Sequence, residues 1–408
     1  MSRTTALAGI RVLDFSKVLA GPLCTQYMGD MGADVVKVEA VSEGDDSRRF
    51  PPLLVAGDDA DGTVFVSVNR NKRSIALDLK SDEGRAIAHK LALTADVAIE
   101  SFGPGVAERL QIDHRTLMAL NPRLVHCAIS GYGSTGPMKD GKGYDNVLQA
   151  FSGMLSITGE RGGNAVRSPF SPVDQGTGTH ALIGILAGLL ERAQTGRGVR
   201  VEASLFDTSV GLLGYILQGF WKTGIEPERP GSAHDSLCPY EVFPTRDKPV
   251  LLGVANDSLW RKFCVVAGAP SLGDDPRFAT NPLRVSNRQE TVAAVTALLA
   301  TRGRDSWISA FGEAGVPCSP VQTLGEMAAH PHTLASGLIQ EYEHPVYGPL
   351  KSVAQPLKFH GERLEFGTAP PMFGEHTREV LREAGYADEA LDSLEAKKVI
   401  FSRVGISR

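Results

Sequence analysis

The chain has 408 residues, 42% of them hydrophobic, which is enough to bury substantial cores and, at ordinary domain sizes, to form two domains. Its 42 Lys and Arg stand against 47 Asp and Glu, and the net charge of -5 offers no broad cationic field to a nucleic-acid backbone. The five cysteines (Cys24, Cys127, Cys238, Cys264 and Cys318) are odd in number and lack C-x-x-C spacing, which argues against both a disulfide framework and a zinc site.

The N-terminal stretch Met1 to Gly9 has no apolar signal core, and no run approaches the roughly 18 apolar residues of a membrane span. The expectation is a cytoplasmic protein with neither a membrane nor a nucleic-acid partner and with no metal. Ile10 to Phe15 reads as a buried strand, Pro22 suits the first turn of a helix that Gly32 can end, and Val35 to Glu39 reads as a second strand. Together they form a βαβ unit, the building block of a doubly wound parallel sheet. Apolar runs recur at Asp96 to Glu100, Leu124 to Ser130 and Val199 to Ser204, alternating with helix-like stretches at Gly84 to Leu93 and Ala181 to Ala193.

Gly, Pro and charge break the pattern from Thr223 to Pro239, as a linker or crossover would. Beyond it come a strand at Val250 to Val254, a helix capped by Asn256 or Asp257, and a helix around Gln289 to Ala300. The expected organisation is α/β: a large Rossmann-like domain over 1–222, a linker over 223–239, a smaller α/β domain over 240–331 and a C-terminal segment over 332–408. That segment carries a short strand from Gly348 and a helix that opens in Gly374 to Thr377.

Ser171 to Gly198 is the most informative stretch for chemistry. Asp174 precedes a glycine-containing turn and then an apolar helix ended by Gly196. Near a helix start, backbone N–H groups and the macrodipole favour negative charge, so the Asp174 carboxylate is expected to be ionised well below neutral pH. Capping the helix is the plain alternative role. Gly176 and Gly178 would let backbone donors approach an oxyanion beside Asp174, with turn formation as their plain alternative. His126 reads as a strand residue and His180 as part of the first helical turn, both structural.

Several segments resemble the class III CoA-transferase family, which includes formyl-CoA transferase, and they do so in order along the whole chain. They are GIRVLDFSKVLAGP (Gly9 to Pro22), GADVVKVE (Gly32 to Glu39), NKRSIALDLK (Asn71 to Lys80), ESFGPGVAERL (Glu100 to Leu110), GYGSTGP (Gly131 to Pro137) and GYDNVLQAFSGMLSITG (Gly143 to Gly159). The Asp174 segment through TGRG and GEHTREVL (Gly374 to Leu381) complete the set. The resemblance implies that Asp174 is a nucleophile which becomes a mixed anhydride and then an aspartyl-CoA thioester. It implies CoA contacts at Leu19, Ala20, Leu77, Lys80, Arg109, Lys142 and Tyr144, no cofactor beyond CoA itself, and an interlocked homodimer. Acyl-CoA and a free carboxylic acid are the expected substrates, with succinyl-CoA and a small dicarboxylate as the pair put forward.

Two departures from formyl-CoA transferase stand out. Ala40 replaces an arginine, for which Arg48 or Arg49 could substitute, and the linker around Gly231 to Pro239 lacks a run of glycines. Formyl-CoA and oxalate are therefore not the expected substrates. Related 2-methylacyl-CoA racemases carry a histidine where Tyr144 stands, so racemisation is the lesser alternative. A nicotinamide-dependent dehydrogenase is disfavoured by the missing G-x-G-x-x-G, and a non-catalytic CoA-binding protein would not need Asp174.

Overall fold

The computed structural model describes residues 6–57 and 60–403. The chain divides into two compact units. The first combines residues 1–154, 168–219 and 331–408, and the second combines 155–167 with 220–330. The excursion 155–167 has no counterpart in the linear boundaries drawn from sequence.

The first unit is built on a seven-stranded sheet. Its parallel strands are β1 (Arg11–Asp14), β2 (Asp34–Ala40), β3 (Lys72–Leu77), β4 (Val97–Glu100), β5 (Val125–Ser130) and β6 (Arg200–Ser204). They lie side by side in the order β3-β2-β1-β4-β5-β6, and a short last strand, Ile400–Phe401, pairs antiparallel outside β3. Runs such as VVKV and VAIE suit strands buried on both faces, which need side chains that pack a pleated surface. One face is covered by a cluster around Leu13, Val36, Ile75, Ile87 and Leu91, the other by a cluster around Val12, Met28, Val35, Ile99 and Ile185. His126 on β5 is buried, donates a 3.2 Å hydrogen bond from Nε2 to the Ile112 carbonyl, and has its pKa pushed down to about 4 by burial, as a structural residue would.

Helix α1 (Ala20–Asp30) connects β1 to β2, and α2 (Asp82–Ala92), capped by the Ser81 hydroxyl, connects β3 to β4. A short helix, α3 (Asp145–Phe151), follows β5, and the long α4 (Pro172–Thr195) leads into β6. Val173, Thr177, Ala181, Ile185 and Arg192 form a buried stripe on α4 at helical spacing. The helix ends where Gly196 turns left-handed at φ 73°, as its sequence predicts. The start differs: α4 opens at Pro172, nine residues before the apolar stretch read from sequence. Asp174 and both glycines therefore lie inside the helix, and His180 lies beyond its first turn, with Nδ1 3.0 Å from the Thr208 hydroxyl.

The second unit has its own core. A three-stranded antiparallel sheet of Tyr240–Phe243, Val250–Gly253 and Cys318–Pro320 packs with helices around Trp260, Phe263, Trp307 and Phe311. The helix Asp257–Val266 is capped by Asn256, whose side chain accepts the Leu259 N–H. Among the described residues, no helix is long and apolar enough to cross a membrane.

Gly178 sits where α4 crosses α1. A Cβ built there would lie 2.4 Å from the Ala20 carbonyl oxygen, a backbone atom that cannot swing away. We expect Gly178→Ala to force the two helices apart and destabilise the protein by about 1–3 kcal/mol. Chemical denaturation reads this directly, and an unchanged midpoint would refute the close approach.

Candidate active site

The sheet order 3-2-1-4-5-6 reverses direction between β1 and β4, and open α/β sheets bind ligands at such a point, beyond the carboxyl ends of the strands. A cleft of about 380 Å³ lies there. It is lined by the loop after β1 (Lys17 to Ala20), the loop after β4 (Ser101 to Pro104), the end of β5 with the glycine loop Gly141 to Tyr144, and Asp174.

The loop after β1 rests on buried ions. Lys72 Nζ lies 3.0 Å from Asp14, and Lys37 Nζ lies 2.8 Å from Asp45 and donates to the Ser16 carbonyl at 2.9 Å. All four charged groups are buried. Burial works against each charge. For Asp14 it is outweighed by Lys72 and Lys37, so the carboxyl lies below its usual value. For Lys72 burial wins and brings the ammonium down to about 8. The Asp45 carboxylate also receives the Val18 N–H at 3.2 Å. Val18 has φ 69°, a left-handed conformation that costs a β-branched residue about 1–3 kcal/mol. The buried pair thus fixes the backbone that presents Lys17, Leu19 and Ala20. On the facing loop, the Lys17 N–H donates to Ser101 Oγ at 3.0 Å, and Glu100 accepts the Phe102 N–H at 2.7 Å.

The start of α4 is held by a carboxylate from another helix. Ser171, the residue type that ordinarily caps, is left-handed at φ 51° and makes no side-chain cap. In its place, Asp145 Oδ2 on α3 accepts the N–H groups of Val173 at 2.9 Å and Asp174 at 3.0 Å. Its Oδ1 is bound by Gln149, whose own carbonyl accepts the Ser168 N–H at 2.9 Å. Asp145 lies inside the segment Gly143 to Gly159 and was given no role from sequence. The bond is between distant segments, so local spacing gave no signal for it.

This arrangement overturns the expected ionisation of Asp174. Burial first, and the like charge of Asp145 second, push its carboxyl up from the ordinary aspartate range to about 7. The helix-start N–H groups that would have lowered it are occupied by Asp145. Gly176 and Gly178 are also corrected. Both are helical, so their N–H groups lie in the α4 hydrogen-bond ladder and are not free for an oxyanion. Their lack of side chains serves packing, against Thr208 for Gly176 and Ala20 for Gly178.

The other sequence-predicted residues divide. Leu19, Ala20, Lys142 and Tyr144 line the same cleft as Asp174, with Lys142 and Tyr144 exposed to solvent. Leu77, Lys80 and Arg109 do not line it. The Leu77 side chain is fully buried in the core, unavailable to a ligand, whereas Lys80 and Arg109 are exposed. Arg48 cannot replace the arginine absent at Ala40, because it is buried and saturated by Glu39 at 2.7 Å and Asp61 at 2.9 Å. Arg49 lines a separate cleft of about 510 Å³ and is held by Asp46. Lys17, Asp46 and the Ser101 to Pro104 loop complete the Asp174 cleft without having been singled out in sequence. Their signal is positional, since the loops ending β1 and β4 flank the switch point. Among the described residues, no cluster of three or more His, Cys, Asp or Glu is placed to hold a metal.

An α/β cleft with one shielded carboxylate suits acyl transfer, and comparison with known proteins gives the class. The chain is 40% identical over 396 residues to an acyl-CoA transferase of Fusarium pseudograminearum, covering 95% of this chain and 86% of the relative. It is 35% identical over 395 residues to the mouse succinyl-CoA:glutarate CoA-transferase, covering 97% and 90%. A crystal structure of a CAIB/BAIF family protein from Brucella suis superposes with a TM-score of 0.84 at 32% identity, covering 93% of this chain and 99% of that one. Residues 7–377 match the family model for CoA-transferase family III, and the chain belongs to that family of enzymes that transfer CoA.

Proposed function

We propose that the enzyme moves CoA from succinyl-CoA to a small dicarboxylic acid, with Asp174 as the group that carries first the acyl unit and then CoA. The observation that carries this reading is the single shielded carboxylate of Asp174 in the switch-point cleft, together with Lys142 and Tyr144. The succinyl-CoA:glutarate activity of the mouse relative supports the substrate pair.

In this reaction the ionised Asp174 attacks the thioester carbonyl and expels CoA thiolate, leaving a mixed anhydride. The thiolate then attacks the aspartyl carbonyl, forming aspartyl-CoA and releasing the donor acid. The acceptor carboxylate attacks aspartyl-CoA to give a second anhydride and thiolate, and thiolate attack on the acceptor carbonyl frees the new acyl-CoA and restores Asp174. Each exchange trades similar bonds, so CoA as substrate suffices and no further cofactor takes part. Leu19, Ala20, Lys142 and Tyr144 hold CoA in this reading. The absence of a histidine at Tyr144 removes the partner base that racemisation would need.

We also place the enzyme in the cytoplasm as an interlocked homodimer. Phe151, Phe170, Ile183, Leu190, Leu212 and Tyr215 are large apolar side chains exposed on the first unit. A second chain would cover them.

Asp174→Ala should abolish transfer, to below about one percent of wild type, while leaving CoA affinity nearly intact, because the lost group makes bonds without supplying affinity. Steady-state assay with succinyl-CoA and glutarate, paired with CoA binding by calorimetry, checks both halves.

Attack requires the ionised form, so kcat/KM should rise with pH through about 7. Glu100, pushed to about 7 by burial, titrates in the same range. Asp145→Asn separates the two, because it removes the like charge beside Asp174 alone and should move the rise to lower pH. A profile that stays where it was would assign the titration to another group.

The folded state holds the Asp174 proton up to about pH 7, whereas the unfolded chain releases it near 3.8. The stability this contributes is complete below the unfolded value and is lost as pH rises through 7. Asp174→Asn, which keeps a neutral group in place, should therefore raise Tm over wild type at pH 8 and give no such gain at pH 4.

A further inference from the structure

We infer that Lys17 reads the second carboxylate of a dicarboxylic substrate and so sets the enzyme's preference for dicarboxylic over monocarboxylic acids; this rests on the CoA-transfer reading above. Lys17 lines the same cleft as Asp174 and stands on the loop that ends β1, at the switch point. Its backbone is fixed on both sides, by its own N–H bond to Ser101 Oγ at 3.0 Å and by the strained Val18 held on Asp45. The side chain is 31% exposed, shielded enough for a charge pair to count and open enough to meet a ligand.

The ammonium group is loosely partnered. Its acidic neighbour among the described residues is Asp46 at 3.8 Å, beyond hydrogen-bond reach, and Asp46 is already bound by Arg49 at 3.0 Å. The buried cations nearby are saturated. Lys72 makes three bonds of 2.9–3.0 Å, and Lys37 is paired to Asp45 and Ser16. Of the cleft's two lysines, Lys142 is exposed on the glycine loop, where the phosphates or pantetheine amides of CoA pass in the reading above. By elimination, Lys17 is the lysine of the cleft left for the acid. A substrate whose first carboxyl is bonded to Asp174 can bring a second carboxylate to Lys17 and form the charge-assisted hydrogen bond that Asp46 does not.

The test compares acceptors matched in length, glutarate against valerate and succinate against butyrate, with wild type, Lys17→Met and Lys17→Arg. Wild type should prefer the dicarboxylates. Lys17→Met should lower the ratio of kcat/KM for dicarboxylate over monocarboxylate by about tenfold or more, chiefly through KM, and Lys17→Arg should restore most of it. Trapping of the aspartyl adduct by hydroxylamine from butyryl-CoA shows that Lys17→Met is folded and competent in the first half-reaction. Wild type that transfers CoA without preferring dicarboxylates, or a ratio unmoved in Lys17→Met, overturns the role of Lys17 alone. Wild type that transfers CoA to no acid in either class overturns the underlying reaction as well.

Discussion

Everything at the active centre depends on how one helix start is satisfied. The first N–H groups of α4 have no partner within the helix, and the Asp145 carboxylate supplies it from α3 at 2.9 and 3.0 Å. That bond fixes Asp174, whose own N–H is one of the two donors. It also places a negative charge beside the Asp174 side chain and uses up the donors that would otherwise have made it more acidic. Orientation and basicity thus come from the same contact. Removing Asp145 outright would leave the N–H groups bare, so a like-charged neighbour is the consequence of a well-held helix.

The opposite wall of the cleft is built on charge too, in another way. Asp14, Lys72, Lys37 and Asp45 are buried beneath the β1 loop and satisfy one another and the surrounding backbone. Replacing such a set by apolar groups need cost no stability, but it would remove the groups that bind Ser16 and Val18 and hold the loop in its strained form. The strain at Val18 is tolerated because this network over-determines it. Precision in the loop, more than stability, is what the buried ions supply.

Most of the parallel sheet was legible in sequence because strands buried on both faces are rich in apolar residues, as β1, β2, β4 and β5 are, whereas β6 is an edge strand that alternates exposed Arg200 and Glu202 with half-buried Val201 and Ala203. β3 opens with Lys72 and Arg73, so its apolar run is only Ile75 to Leu77, and its place in the sheet depends on partners for those charges that lie far along the chain. The start of α4 was misread for a related reason. Glycines ordinarily weaken a helix, yet Gly178 is needed for the close crossing with α1, a fact of tertiary packing. The excursion 155–167 was invisible for the same cause, since which unit a segment joins is decided by contacts and not by its composition. Asp174 was found through resemblance and its position near a helix start. Its raised pKa could not be, because Asp145 reaches it only in the fold.

A carboxyl pushed up to about 7 by burial and Asp145 balances opposed demands of the proposed reaction. A much more basic Asp174 would be protonated at neutral pH and could not attack, whereas a more acidic one would be a weaker nucleophile toward the thioester carbonyl. The same basicity acts oppositely on the two anhydrides. In the first, thiolate opens the aspartyl carbonyl and expels the substrate acid, the weaker base, so a basic Asp174 favours aspartyl-CoA. In the second, thiolate must open the acceptor carbonyl and expel Asp174 itself, so the same basicity works against release of the new acyl-CoA. A value close to the operating pH is the compromise between attack and departure.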